Sequence, residues 1–364
     1  FQTIHFDPSG SFGMAYSWDG RGDYTHDGGK TWQPLNLAQW LVQSGGFSYT
    51  TIVDTKTAWV DAYDIQGGRM FFGLTEDAGN TWTFKEFPYN MMFQVAATIR
   101  PSNRATYVFE SAELPFESWP WYKKKAFYVS LDGGASWSQR SLSDYILALA
   151  AVSPGTIMAA VASDSTRYGV SSLLISSDAG ASWRASLTDT LWYFHDIHFA
   201  TPTEGIAIGA RYRSDMDSAR LRQAVFRTSD GGNSWNKTYE LSIPWRGKYY
   251  SSRTSAGILL AAPPVWILDV SYSFTGSGGF NIDRYRSDNN GHTWTYLENL
   301  RGYYYAPAFA PPHWKVGIRG NQMTQDGGKT WSVKFPWAVT RAFFPNSYEV
   351  FAVMDSLILR GTAP

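Results

Sequence analysis

The stretch Thr25–Trp32 reads THDGGKTW, and its paired glycines, single carboxylate and tryptophan suit either a tight turn or a ligand loop. Six relatives decide for the turn: TEDAGNTW (Thr75–Trp82), SLDGGASW (Ser130–Trp137), SSDAGASW (Ser176–Trp183), TSDGGNSW (Thr228–Trp235), SDNNGHTW (Ser287–Trp294) and TQDGGKTW (Thr324–Trp331). Six of the seven copies fit S/T-x-D-x-G-x-S/T-W, and the sixth in order carries Asn289 in place of Asp. The central residues Asp27, Asp77, Asp132, Asp178, Asp230, Asn289 and Asp326 lie 50, 55, 46, 52, 59 and 37 residues apart. That period fits a unit of four short strands with variable loops, a propeller blade.

Each unit repeats one order: an alternating run, a second apolar run, a third strand entering the box and a fourth beginning at its tryptophan. In the first unit these are TIHF, FGMAYS, GDYT and TWQPL. Within the box, Gly29 is expected to supply the positive φ that closes the hairpin, and Asp27 to accept N–H bonds from the turn. The flanking Ser or Thr can hydrogen-bond across it. Trp32, Trp82, Trp137, Trp183, Trp235, Trp294 and Trp331 would pack between neighbouring sheets, burying about 150–250 Å² each.

Composition agrees with short strands and tight turns. Aromatics reach 17 % and Gly numbers 33, while Cys is absent, so packing and backbone pairing must hold the fold without disulfides or thiolate metal sites. Lys plus Arg equals Asp plus Glu at 31 each, which removes the basic excess that nucleic-acid binding requires. The longest apolar run, GILLAAPPVWILDV, is interrupted by Pro263 and Pro264 and falls short of the roughly 18 residues that span a bilayer. The chain opens on Phe1 rather than Met, as it would after removal of a secretion signal. An extracytoplasmic location (secreted, periplasmic or cell surface) is the expectation.

The seven motifs resemble Asp-box (BNR) repeats, found in the propellers of sialidases, xyloglucan hydrolases, sortilin-type receptors and photosystem II assembly factors. The resemblance covers nearly the whole chain. It implies a structural box on the face away from the active site, and its match to single, Cys-poor propellers of the assembly-factor kind implies a protein partner rather than a sugar.

The expected fold is therefore all-β, a single propeller domain over residues 1–364. First strands are read at TIHFDPSG, TTIVDTKT, AATIRPSN, LAAVSPGT, DIHFATPT, YYSSRTSA, YAPAFAPP and TRAFFPNS. Eight starts against seven boxes give eight blades with the last incomplete, or seven blades and an appendage. The units run at about 1–38, 39–90, 91–142, 143–188, 189–240, 241–298, 299–337 and 338–364.

If the boxes mark one face, function belongs on the other, built from fourth-to-first connections and second-to-third loops. The connections carry Trp40, Trp192, Tyr193, Trp245, Tyr303 and Trp337. Two long loops add Trp119, Trp121 and Tyr122, followed by three lysines, and Arg211 and Arg213 in an Arg-rich run. These side chains either plug the inner ends of the blades or form an aromatic and cationic platform for a partner.

Enzyme motifs fit poorly. The sialidase arginine motif has its nearest match at Ile99-Arg100-Pro101, in the wrong order and in the third unit, and the first unit holds only Arg21. A two-carboxylate hydrolase stays open, with Asp19, Asp61, Asp64, Glu113, Glu117, Asp164, Asp215 and Asp269 near loops of that face. His195 and His198 should point to opposite faces of a strand, so no metal is expected. The reading is a non-catalytic scaffold or accessory subunit, without cofactor or metal, not itself transmembrane, that binds protein partners in a larger, membrane-associated or surface assembly. The alternative is a glycan-binding lectin or glycoside hydrolase.

Overall fold

The computed structural model describes residues 3–7, 9–16, 22–35, 45–52, 54–64, 69–87, 107–111, 126–132, 135–163, 171–189, 191–211, 222–242, 255–273, 280–301, 307–346, 348–354 and 357–362. Every regular element among them is a β-strand, and each sheet is antiparallel. Blade 1 holds β1 (Thr3–Phe6), β2 (Gly13–Tyr16), β3 (Gly22–Thr25) and β4 (Gln33–Pro34); blade 2 holds β5 (Gly45–Ile52), β6 (Ala58–Asp64), β7 (Arg69–Thr75) and β8 (Thr83–Phe87). Blade 3 shows β9 (Tyr107–Ser111), β10 (Ala126–Ser130) and β11 (Ser138–Ser141), its expected first strand lying outside the described residues. Blade 4 follows with β12 (Tyr145–Ser153), β13 (Thr156–Ala162), β14 (Ser171–Ser176) and β15 (Arg184–Asp189), and blade 5 with β16 (Tyr193–Phe199), β17 (Gly205–Arg211), β18 (Arg222–Thr228) and β19 (Asn236–Ser242). Blade 6 comprises β20 (Ser255–Ala262), β21 (Val265–Ser273), β22 (Phe280–Ser287) and β23 (Thr295–Arg301). Blade 7 comprises β24 (Ala308–Phe309), β25 (Gly317–Arg319), β26 (Gln322–Thr324) and β27 (Ser332–Val333).

These are seven box-bearing blades of a β-propeller. An eighth, terminal sheet of β28 (Arg341–Phe343), β29 (Glu349–Met354) and β30 (Leu357–Thr362) has three strands and no box. Blades 1, 2, 7 and the terminal sheet form one compact unit, in which β28 packs against both β24 and β1. Blades 3 to 6 form the other, in which β12 packs against β9 and β16, and β16 against β20.

One first strand differs from its expected place. The sequence places the start of blade 6 at YYSSRTSA, but its inner strand is SAGILLAA, paired with VWILDVSYS across a Pro263–Pro264 turn. The interrupted apolar run is a hairpin whose second strand buries Val265, Trp266, Ile267, Leu268 and Val270, so that strand does not alternate with polar residues.

The box is a closed hydrogen-bond circuit. In blade 1 the Thr25 hydroxyl donates to Asp27 Oδ1 (2.9 Å), the Thr31 hydroxyl donates to Oδ2 (2.7 Å), and the Lys30 and Thr31 amides donate to Oδ1 (2.9 Å each). The Gly29 amide returns to Thr25 Oγ1 at 2.8 Å. Bonds from the Ser136 and Ser182 hydroxyls, then their amides, hold the Asp132 and Asp178 carboxyls down at about 2. At Asp230 and Asp326 partial burial pushes the other way, but the Ser234 and Thr330 bonds outweigh it and the value is again about 2. Asn289 reproduces the circuit with one bond reversed: Oδ1 still accepts the Ser287 hydroxyl (3.0 Å) and the Thr293 amide (2.9 Å), while Nδ2 donates to the Thr293 hydroxyl (2.8 Å).

The turn needs two positive φ angles, not one. Gly28 and Gly29 stand at 68° and 77°, and the same pair recurs as Ala78–Gly79, Ala179–Gly180, Gly231–Gly232, Asn290–Gly291 and Gly327–Gly328. The first residue of each pair donates its amide to a carbonyl in the blade's own first hairpin turn, as Gly28 does to Ser11 (3.0 Å) and Ala179 to Gly155 (2.8 Å).

The second glycine serves a further purpose. A Cβ on Gly29 would lie 2.4 Å from Phe351 of the terminal sheet; on Gly180, 2.5 Å from Phe127 of blade 3; on Gly232, 2.7 Å from Met158 of blade 4; on Gly291, 2.9 Å from Ile206 of blade 5. At these four corners the bare glycine is thus pressed onto the core of the sheet before it, whereas at Gly79 the nearest atom of Tyr24 would be an ordinary 3.4 Å away. Two such seams gain a hydroxyl: bulges in β15 and β19 leave Ser186 and Thr238 unpaired in register, and these donate to the carbonyls of Gly232 and Gly291 in the following box.

Adjacent residues of one box separate the two demands. Gly28→Ala meets only the Gly10 carbonyl at 3.1 Å, in a position where blades 2 and 4 already carry alanine, and should cost about 1 kcal/mol of positive-φ strain. Gly29→Ala adds the Phe351 clash, worth about 1–3 kcal/mol more. Urea midpoints should fall in that order; equal losses would contradict the seam contact.

Candidate functional site

Of the residues expected on the face away from the boxes, Trp40, Trp119, Trp121, Tyr122, Arg213, Trp245 and Tyr303 lie outside the described residues. So do Asp19, Glu113, Glu117, Asp164 and Asp215, and the side chains of Asp61 and Asp64. The structure brings Trp192, Tyr193 and Arg211 together at the end of blade 5 farthest from its box, where Tyr193 pairs with Ala210 and Arg211 faces Arg222.

These three do not share one environment. Trp192 takes the packing alternative: it is 5 % exposed, sits in a core with Phe194, Phe226 and blade 4 residues, and meets the Phe226 ring edge-on at 6.0 Å. Lys237 Nζ lies 5.4 Å above its ring. Tyr193 is half-buried. Trp337, in blade 7's exit, is 45 % exposed.

Charge around Arg211 is unbalanced. Arg222 Nη1 and Lys237 Nζ share one carboxylate, Glu240, at 2.6 and 2.8 Å, and those bonds, Lys237 first, hold the Glu240 carboxyl below its usual range. Arg211 stands directly across from Arg222 and has no ion-pair partner among the described residues. Two like charges facing across a ladder repel. Among the described residues the patch carries three cations against one anion, which suits a further carboxylate.

On the other face of blade 5 a β-bulge at His195 breaks the strand's alternation. His195 and His198, expected on opposite faces, therefore share one. His195 Nε2–H donates to Gln223 Oε1 (3.2 Å), and His198 Nε2 meets Asp196 Oδ1 (3.1 Å). Gln223 is fully buried and its Nε2 has no partner among the described residues. Burial keeps the His195 imidazole below its ordinary pKa, outweighing the attraction of Asp196. His5 in blade 1 is pushed down to about 4, by burial and then by the Arg341 guanidinium. Among the described residues no three metal-ligating side chains converge.

Asp269, one of the carboxylates open to a hydrolase role, is committed elsewhere. Fully buried Arg284 grips it bidentately (Nε–Oδ1 2.7 Å, Nη2–Oδ2 2.8 Å) and reaches Glu298 at 3.2 Å. Both of its oxygens are occupied by that guanidinium, which leaves neither aimed at a substrate.

The described surface also has two clefts on the box face. One of about 390 Å³ lies between boxes 4 and 5, lined by Ser153, Thr156, Arg184, Asp230 and Asn233; the other, about 510 Å³, lies between boxes 1 and 2 beside His26, Lys56 and Glu76. Asp230 spends both oxygens inside its own box, so the first cleft offers no free acid there.

The BNR/Asp-box repeat model matches residues 23–34, the first copy. No curated protein matches the chain in sequence. Similar solved structures include the tricorn protease, at 10 % identity and TM-score 0.53 over 92 % of this chain and 36 % of that one. Oligogalacturonate lyase in complex with manganese aligns at 11 % identity and TM-score 0.50 over 99 % and 88 % of the two chains. YCF48 bound to D1 peptide aligns at 15 % identity and TM-score 0.43 over 99 % and 92 %. At these identities the likeness is one of fold. Among the described residues no helix is long and apolar enough to cross a membrane.

The depressed histidines give a pH dependence of definite sign. Both are neutral in the fold, so the unfolded chain binds more protons once pH drops below about 6.5, and stability falls with pH from there. The double variant His5→Gln/His195→Gln should lose less of its urea midpoint between about pH 7 and about pH 5 than the parent. Parallel losses in both proteins would show that the two imidazoles protonate freely in the fold.

Proposed function

We propose that the chain is a non-catalytic, extracytoplasmic propeller that holds a protein partner within a larger assembly, and that blade 5 presents an acidic segment of that partner with its cationic end. The observation that carries this is Arg211 beside the Arg222–Glu240–Lys237 cluster: surplus positive charge fixed on a rigid strand pair. Absence of Cys and a neutral overall charge agree with an extracytoplasmic module that binds at a local patch rather than through a global field. The engagement of Asp269 and Glu298 by Arg284 favours scaffold over hydrolase.

Affinity isolation from the native source after mild cross-linking should recover a stoichiometric protein. Arg211→Glu should weaken that complex about tenfold, mostly as a slower salt-dependent association, with a urea midpoint no lower than the parent's because the repulsion across from Arg222 is removed. Glycan-array binding without any protein partner would overturn the reading.

A further inference from the structure

The cleft between boxes 4 and 5 lies within one compact unit, and its lining comes from two blades. Blade 4 contributes its first hairpin turn, its box and Arg184, which follows Trp183; blade 5 contributes Pro202 and its own box. All of these residues are described, and the description of blades 4 and 5 breaks off only at strand ends farthest from the boxes. Burial sorts the lining. Val152 and Ile175 are buried and Trp183 is half-buried, which makes an apolar floor. The hydroxyl residues Ser153 and Thr156 are half-buried, and Ser177, Arg184 and Asn233 are exposed at the rim.

The rim is held in place by the box. Asn233 Nδ2 donates to the Asp230 carbonyl (2.6 Å), which leaves Oδ1 to accept from Arg184 Nη2 across the seam. That bond uses one of five guanidinium N–H donors, and among the described residues no carboxylate pairs with Arg184. The hydroxyls of Ser153, Thr156 and Ser177 have no side-chain hydrogen bond there either. The cleft between boxes 1 and 2 is built differently. Asn80 makes the same bond to the Asp77 carbonyl (2.6 Å), but its Oδ1 meets the Tyr24 hydroxyl (3.2 Å), and Gln33 stands where Arg184 does.

Charge narrows what the cleft between boxes 4 and 5 accepts. Arg184 and Asp230 are the charged residues of its lining, one of each sign, and hydrogen bonds keep the Asp230 carboxyl ionised down to about 2. An anion would gain the guanidinium and meet the carboxylate; a cation would do the reverse. An uncharged molecule meets neither repulsion. A pyranose has carbon-bound hydrogens on its faces and hydroxyls around its edge, which matches an apolar floor surrounded by unspent donors and acceptors. The volume of about 390 Å³ admits roughly one or two such rings.

We propose that this cleft binds an uncharged pyranose sugar, its ring over Val152, Ile175 and Trp183 and its hydroxyls bonded by Arg184, Thr156 and Ser153. The site goes beyond the partner-holding role and lies at the opposite end of blade 5 from Arg211.

Methyl pyranosides of glucose, galactose, mannose and xylose serve as probes, each at about 10 mM because so small a ligand binds weakly, with amide NMR spectra read on the intact chain. At least one should shift the amides of residues 153–156, 183–184 and 231–233 saturably. Arg184→Gln should weaken that binding about tenfold and Thr156→Val about fivefold, both with the parent's urea midpoint. Arg211→Glu should bind the sugar as the parent does, so failure at this cleft and failure at the cationic end of blade 5 are told apart. Three results would overturn the proposal: no saturable shift with any of the four sugars, shifts confined to other parts of the chain, or a stronger response at the cleft to sodium sulfate, which would make it an anion site.

Discussion

The contact on which the structure depends is that of a glycine with no side chain against the buried side chain of the sheet before it. At Gly29, Gly180, Gly232 and Gly291 a single added carbon would come within 2.4–2.9 Å of Phe351, Phe127, Met158 and Ile206. Adjacent sheets can approach that closely only if the corner is rigid and satisfies its own polar groups. The Asp or Asn circuit does this locally, so that packing is the main contact left for the corner to make with its neighbour. Hydroxyls at bulged positions then tie two of the seams.

Much of this was legible in the sequence because the box is local. Seven copies of an eight-residue pattern, spaced like blades, require a four-stranded repeat, and the roles of Thr25, Asp27 and Thr31 follow from their chemistry. The second positive φ could also have been read: the position before the invariant Gly holds only Gly, Ala or Asn in all seven copies. The use of that Gly against another sheet could not, since the partner lies dozens of residues away and carries no fixed type. Ser186 and Thr238 were hidden for a related reason, because a bulge changes which way one residue points without marking the sequence.

The site was less legible than the fold. Aromatic residues in the connections were equally suited to packing and to display, and Trp192 shows that the hydrophobic core claims such a ring when a Phe226 face is available. Strand parity placed His195 and His198 apart, and one inserted residue brought them together. Arg211 was singled out from a run of arginines; its place opposite Arg222 depends on register, which no composition reveals.

A double-mutant cycle on Gly180→Ala and Phe127→Leu isolates the contact between corner and neighbour, because the positive-φ strain of alanine appears in both arms and cancels. A favourable coupling of about 1 kcal/mol or more, the smaller ring relieving the added methyl, is expected. Additive losses would contradict it and would leave the box as a self-contained turn with no part in holding the sheets together.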